Sequence, residues 1–218
     1  MDSIKKEKYI KYMEGVLRWN EFVNLTAITD KEQFWVKHIE DSLSITDVPE
    51  YVEAKRILDI GTGAGFPGAI LAINNPEKDF YLLDALQKRL DIVDELTEEA
   101  GATNVTTLHG RAEDYGNDPE FRETFDLVVS RAVGSMPVLT EYALPFVKIG
   151  GYFIGYRGRD EINYDNALKR LGGEYVRTDS DKMEKFGMWH NLIIIKKVSP
   201  TPKKYPRKAG TAQRYPIK

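Results

Sequence analysis

The sequence predicts an α/β fold with a mostly parallel seven-stranded sheet, an antiparallel C-terminal hairpin and an N-terminal helical extension, on three observations. Short apolar runs alternate with helical patterns from Arg56 onward, glycines crowd directly behind the first run, and the last two runs have no helix between them. Parallel neighbours need a crossover of a dozen residues or more, so alternation on this scale builds a parallel sheet. The short final connection is that of a hairpin, and the sheet therefore ends antiparallel.

Each element follows in order. Ile4, Tyr9, Tyr12, Met13, Val16 and Leu17 fall at helical spacing behind Asp2 and Ser3 as N-caps. Residues 20–30 are turn-like, and Thr29 and Glu32 have the spacing of a capping box for a second helix through Trp35, Val36, Ile39 and Leu43. Trp19, Phe22, Phe34 and Trp35 read as helix-packing aromatics. Strands are expected at Arg56–Ile60, Phe80–Asp84, Val105–His109, Phe125–Ser130 and Tyr152–Tyr156, then around Glu174–Arg177 and Asn191–Val198. Helices are expected over 69–73, 86–100, 138–147 and 161–171. The chain thus divides into a helical extension (1–50) packed on the core, one α/β domain (51–198) and a tail (199–218). Pro200, Pro202, Pro206 and Pro216 oppose regular structure in the tail, which is expected to be extended.

With 218 residues, 42% of them hydrophobic, the chain can build one real core. The absence of cysteine excludes disulfides, thiolate metal sites and thiolate nucleophiles, and no metal is expected. No apolar run approaches membrane-spanning length and the N-terminus has no apolar signal core, so a cytoplasmic protein without membrane contact is expected. The net charge of −3 is unevenly spread. Ser199–Lys218 holds six basic and no acidic residues, leaving 25 basic against 34 acidic residues, a net of −9, on the rest. A basic arm on an acidic body is either a solvated terminus or a nucleic-acid contact.

The loop Gly61-Thr62-Gly63-Ala64-Gly65 follows the first strand, where glycines let the backbone approach a ligand and the next helix offers free N–H groups. The spacing Gly63-x-Gly65-x-x-Gly68 with Asp84 downstream also fits a nicotinamide dinucleotide. S-adenosyl-L-methionine is favoured by Asp59, a strand-end carboxylate that suits an ammonium group and repels pyrophosphate. Asp84 can accept from both ribose hydroxyls of either cofactor. The terminal hairpin matches the Rossmann-like class I methyltransferase version of this sheet, which is fold analogy. Asp59 and Asp84 could each merely cap the turn that follows. Their placement at the carboxyl ends of adjacent strands, where open α/β sheets bind ligands, argues for a site. The loop Arg111–Asp114 then lies on the adenine side, and Arg131, ending the fourth strand, can hold a carboxylate or a phosphate.

Five motifs coincide further: Trp19-Asn20-Glu21-Phe22-Val23-Asn24-Leu25-Thr26, His38-Ile39-Glu40-Asp41-Ser42, the loop through Gly68, Ser130-Arg131-Ala132, and Tyr205-Pro206-Arg207-Lys208-Ala209-Gly210. Through them nearly the whole chain resembles the bacterial small-subunit ribosomal RNA guanine-N7 methyltransferases called RsmG or GidB. The resemblance implies methyl transfer to N7 of a guanine in 16S rRNA, within the small ribosomal subunit or its assembly intermediate. It further implies that Gly61, Phe66, Ala112, Glu113 and Arg131 touch the cofactor; Asp59, Gly63, Gly65 and Asp84 are added from the loop and ribose chemistry. Ala85 stands where the family usually has serine, and Arg157 where it usually has lysine. The N7 lone pair carries no proton, so no general base is needed, and the absence of cysteine excludes the nucleophile common in pyrimidine C5 methylation. Arg131 is the expected catalytic residue, His38, Arg157, Arg207 and Lys208 are the expected RNA contacts, and a monomer is expected. A small-molecule methyltransferase on the same fold is one competing reading, and a nicotinamide-dependent oxidoreductase or non-catalytic RNA-binding protein is the other.

Overall fold

The computed structural model describes residues 2–131, 134–158, 164–181 and 190–218. Its sheet has the strand order β3-β2-β1-β4-β5-β7-β6, with β1 Arg56–Ile60, β2 Asp79–Asp84, β3 Val105–His109, β4 Phe125–Arg131, β5 Val147–Arg157, β6 Gly173–Asp181 and β7 His190–Lys197. β1 to β5 are parallel, and β7 inserts antiparallel between β5 and β6, as the short final connection predicts. The order reverses between β1 and β4. Ligands of open α/β sheets settle at such a switch point, outside the carboxyl ends of the strands.

Successive side chains of a strand face opposite sides of the sheet. Ile57, Leu127, Val129 and Ile154 accordingly join one core, and Leu58, Val128 and Phe153 the other. The first core is covered by α1 (Ser3–Asn20), α5 (Gly68–Asn74) and α6 (Gln87–Glu99), with Tyr9, Tyr12, Val16 and Leu96 in contact. The second is covered by α8 (Met136–Ala143) and α9 (Asp165–Leu171), joined by Ala112 of the short α7 (Ala112–Tyr115). Asp2 caps α1 by accepting from the Ile4 N–H at 3.2 Å. Phe34 is fully buried and Trp19 and Trp35 pack against the core, but Phe22 is exposed, with one ring edge on Trp19.

Several details differ from expectation. Asp30, not Thr29, caps the second helical run, accepting from Gln33 N–H at 2.9 Å. That run is α2 (Lys31–Phe34), a π-helical turn (Trp35–Glu40) and α3 (Asp41–Leu43), followed by an unexpected α4 (Pro49–Glu53). α8 stops at Ala143 rather than Val147: Leu144 still has helical dihedrals, but Pro145 has no N–H with which to continue the helical ladder. The start of the helix expected from Glu161 lies outside the described residues, which show α9 from Asp165.

The tail is docked rather than extended. Tyr205, Ala212 and Ile217 are buried in the second core, and Thr211–Arg214 form α10. Proline removes backbone donors, so side chains hold this segment. The Arg122 guanidinium donates to the carbonyls of Gly116, Thr201 and Tyr205 at 2.7, 2.7 and 2.9 Å. Glu123 accepts from Thr201 N–H at 2.7 Å, and the buried Lys197 ammonium bridges Thr201 and the Leu144 carbonyl. Among the described residues, no helix is long and apolar enough to cross a membrane.

Candidate active site

Behind the carboxyl ends of β1, β2 and β3 opens a cleft lined at one end by Gly61, Asp84 and Ala85 and at the other by Gly110, Ala112 and Glu113. Asp84 shapes it. One carboxylate oxygen accepts from the Gly63 N–H and the other from the Leu86 N–H, both at 2.9 Å, so Asp84 ties the glycine loop to the start of α6. An ionised carboxylate has about four acceptor sites, and each oxygen keeps one for a ribose hydroxyl.

Asp59 lies beneath the loop and is fully buried. Its Oδ2 accepts from the Thr62 hydroxyl at 2.7 Å and from the Gly68 N–H at 2.9 Å, which is a capping role for the loop and for α5. Its Oδ1 is buried with no partner among the described residues. An orphaned carboxylate oxygen under a glycine loop fits an ammonium group or a bridging water, as the amino-acid end of S-adenosylmethionine would bring. Burial raises the Asp59 pKa to about 6, with the Thr62 and Gly68 hydrogen bonds and the charge of Arg131 opposing. Two close approaches demand glycine here: a Cβ at Gly65, whose φ is +86°, would collide with the Tyr12 hydroxyl, and one at Gly68 with Leu82 and Asp59.

A second constellation stands at the end of β4. Arg131 NH1 donates to Asp41 Oδ2 at 2.7 Å and to the Lys37 carbonyl at 3.0 Å, and its NH2 meets His38 Nδ1 at 3.0 Å. Arginine only donates, so Nδ1 is the acceptor and His38 is the neutral Nε2–H tautomer. Nε2–H then donates to the Thr26 hydroxyl at 2.8 Å, which also accepts from the Ile28 N–H at 3.1 Å. Burial, seconded by Arg131, lowers the His38 pKa to about 4. The His38 ring stacks on Phe66 at 4.5 Å between centroids and 6° between planes, while Tyr12 and Phe34 meet Phe66 edge-on. Arg131 also lies 5.3 Å from the Phe66 centroid.

The structure therefore gathers Gly61, Asp84, Ala112 and Glu113 on the cleft, and Phe66, His38 and Arg131 in the neighbouring cluster, with Asp59 and Gly65 in the framework between. Gly63 contributes its backbone to Asp84. Glu113 accepts from the Gly210 N–H at 2.9 Å, so a tail residue braces it. Three of the five guanidinium donors of Arg207, expected at RNA, are engaged within the chain: Nε and NH2 pair with the wholly buried Glu141 at 2.8 and 2.6 Å, and NH2 also reaches the Tyr215 carbonyl. Lys208 is exposed, and Arg157 NH1 donates to the Gly134 carbonyl at 2.6 Å. Asp41 was not singled out from the sequence, although its spacing from His38, three residues along a helix, places both on one face. Tyr12 and Thr26 gave no such signal, because their partners are brought in by packing.

Residues 5–178 match the model of a family described as GidB, rRNA small subunit methyltransferase G. The chain is 43% identical over 221 residues to the Ribosomal RNA small subunit methyltransferase G of Clostridium tetani, covering 100% of this chain and 92% of that protein. To the protein of that name from Clostridium botulinum (strain Eklund 17B / Type B) it is 44% identical over 216 residues, covering 97% and 90%. Among solved structures it is similar to the O-methyltransferase TomG from Streptomyces achromogenes in complex with SAM (TM-score 0.57, 16% identity, 91% of each chain covered). It is also similar to a 16S rRNA adenine-N1 methyltransferase from Catenulisporales acidiphilia (TM-score 0.55, 16% identity, 70% of this chain and 90% of that one). At such identities the structural likeness speaks for the fold alone.

Proposed function

The chain belongs to the rRNA small subunit methyltransferase G family, and on that premise we propose that it transfers a methyl group from S-adenosyl-L-methionine to N7 of a guanine in small-subunit rRNA. The observation that carries this reading is the pairing of two constellations on adjacent strands. A cleft with ribose acceptors at the β1–β3 exits lies beside an arginine held at the β4 exit.

When bound, S-adenosylmethionine supplies an electrophilic methyl on a sulfonium. The protein's own residues have only to bind and align, because guanine N7 attacks with an in-plane lone pair and releases no proton. The cluster agrees with that economy. His38 is kept neutral and its Nδ1 lone pair is committed to Arg131, so it is not free to act as a base. Arg131 has five N–H donors; among the described residues, Asp41, Lys37 and His38 leave one on NH2 and the one on Nε for a phosphate or a carboxylate. It cannot hold both O6 and N7 of the target, since N7 faces the methyl group. The guanine therefore has to leave any stack and enter singly. We read the acceptor as the RNA of the small subunit or of an assembly intermediate, met by a monomer in the cytoplasm.

The test is to incubate the protein with labelled S-adenosylmethionine and small subunits from a strain lacking its homologue, then to cleave the RNA specifically at N7-methylguanine. Label at one such position is expected. Absence of label on RNA would sink the proposal, and label on an exocyclic amine would sink the N7 assignment.

A further inference from the structure

The far end of the cleft is closed by the C-terminal segment, whose part in the site goes beyond the phosphate-binding arm its composition suggests. Gln213 of α10 lines the cleft together with Tyr142 of α8, with Gly110 just after β3 and with Ala112 and Glu113 of α7. Its position is not that of a loose terminus. The Gly210 N–H donates to Glu113 at 2.9 Å, Asn117 reaches the Pro206 carbonyl at 3.3 Å, and Arg207 grips the buried Glu141 on α8. The neighbouring Ala212 is fully buried, and Ile217 beyond it is buried as well. These anchors stand on both sides of Gln213 in sequence and hold α10 over the cleft.

The charged side chains of this cleft offer hydrogen bonds of one kind only. Asp84 accepts one backbone N–H on each oxygen, and Glu113, accepting from Gly210 N–H, can likewise only accept. Arg111 can only donate. Gln213 is exposed, and among the described residues its amide has no partner. A primary amide both donates and accepts, which complements an adenine edge that offers an amino donor beside a ring-nitrogen acceptor; glutamine is a standard bidentate partner of that edge in nucleic-acid readout.

Resting on the cofactor reading above, we propose that Gln213, carried over the cleft by the docked tail, hydrogen-bonds the amino edge of the adenine ring and sets the purine specificity of the cofactor site. The tail then serves the cofactor before any RNA is present.

The experiment is calorimetry on the full chain without RNA, using S-adenosylhomocysteine and its analogue whose purine lacks the 6-amino group. Wild-type protein is expected to bind the amino ligand more tightly. Gln213→Ala should weaken the amino ligand about five-fold more than the 6-deamino analogue, which keeps only the ring-nitrogen acceptor, five-fold being the worth of the one hydrogen bond to the amino group, so that the discrimination disappears. Gln213 is exposed, and an unaltered thermal midpoint of the variant checks that its fold is intact. Equal weakening of both ligands, or none of either, overturns the proposal. Failure of the wild type to bind S-adenosylhomocysteine would instead overturn the cofactor reading on which it rests.

Discussion

The two segments appended to the sheet reach the site from opposite faces and are held by different physics. The N-terminal layer docks through distributed apolar burial: Tyr9, Tyr12, Val16, Phe34 and Ile39 all enter the first core, and Arg131 is clasped only at the end of that layer. The C-terminal segment enters the second core with Tyr205, Ala212 and Ile217, and its hold is concentrated in polar pins from Arg122, Lys197 and Glu141. Distributed burial tolerates loss of one contact. A buried ion pair does not, because removal of one partner leaves the other charge desolvated and unpaired. The first segment brings an arginine cluster to the β4 exit, and the second brings a wall to the β3 exit.

Breaking the C-terminal pin is the severest test of that contrast. Arg207→Ala strands the Glu141 carboxylate, whose side chain is fully buried, and should cost about 3–5 kcal/mol in urea unfolding. A cost below about 1 kcal/mol, the level of an ordinary exposed pair, would show that the tail is not pinned this way. On the N-terminal side the effect should fall on turnover. Arg131→Ala should slow single-turnover methylation about 100-fold, as the loss of one aligned donor does elsewhere; a change within two-fold would remove Arg131 from the centre.

A pH series sharpens the comparison further. The His38 pKa lies near 4 in the folded protein, below the ordinary 6.5. Between those values the unfolded chain takes up a proton that the native cluster refuses, so stability is complete above pH 6.5 and declines as the pH falls toward 4. Asp59, raised to about 6, contributes with the opposite sign in an overlapping window, and the difference between wild type and His38→Gln isolates His38. That difference should shift against the wild type by roughly 3 kcal/mol between pH 7 and pH 4 and be constant above pH 7, in thermal unfolding followed at both pH values. The smallest effect is expected at the exposed tail lysines. Replacing Lys203 and Lys204 together by alanine should change stability by less than about 0.5 kcal/mol and lower only the salt sensitivity of RNA association. A loss of turnover equal to that of Arg131→Ala would reverse the assignment of the centre.

The strands, their parallel order, the terminal hairpin and the strand-end positions of Asp59, Asp84 and Arg131 were legible in the sequence, because side-chain alternation and glycine-loop chemistry act between near neighbours in the chain. The helix ends were less so: Asp30 displaced Thr29 as cap, and Pro145 stopped α8 early. What the site residues are bonded to was decided only by the tertiary structure. Asp41 and Arg131 are 90 residues apart, Arg207 and Glu141 66, and Gly210 and Glu113 97. No periodicity links such pairs, and each is one directional contact set by the docking of whole elements. A tail rich in lysine and proline therefore reads as a loose basic arm, and folding turns it into a wall of the cleft.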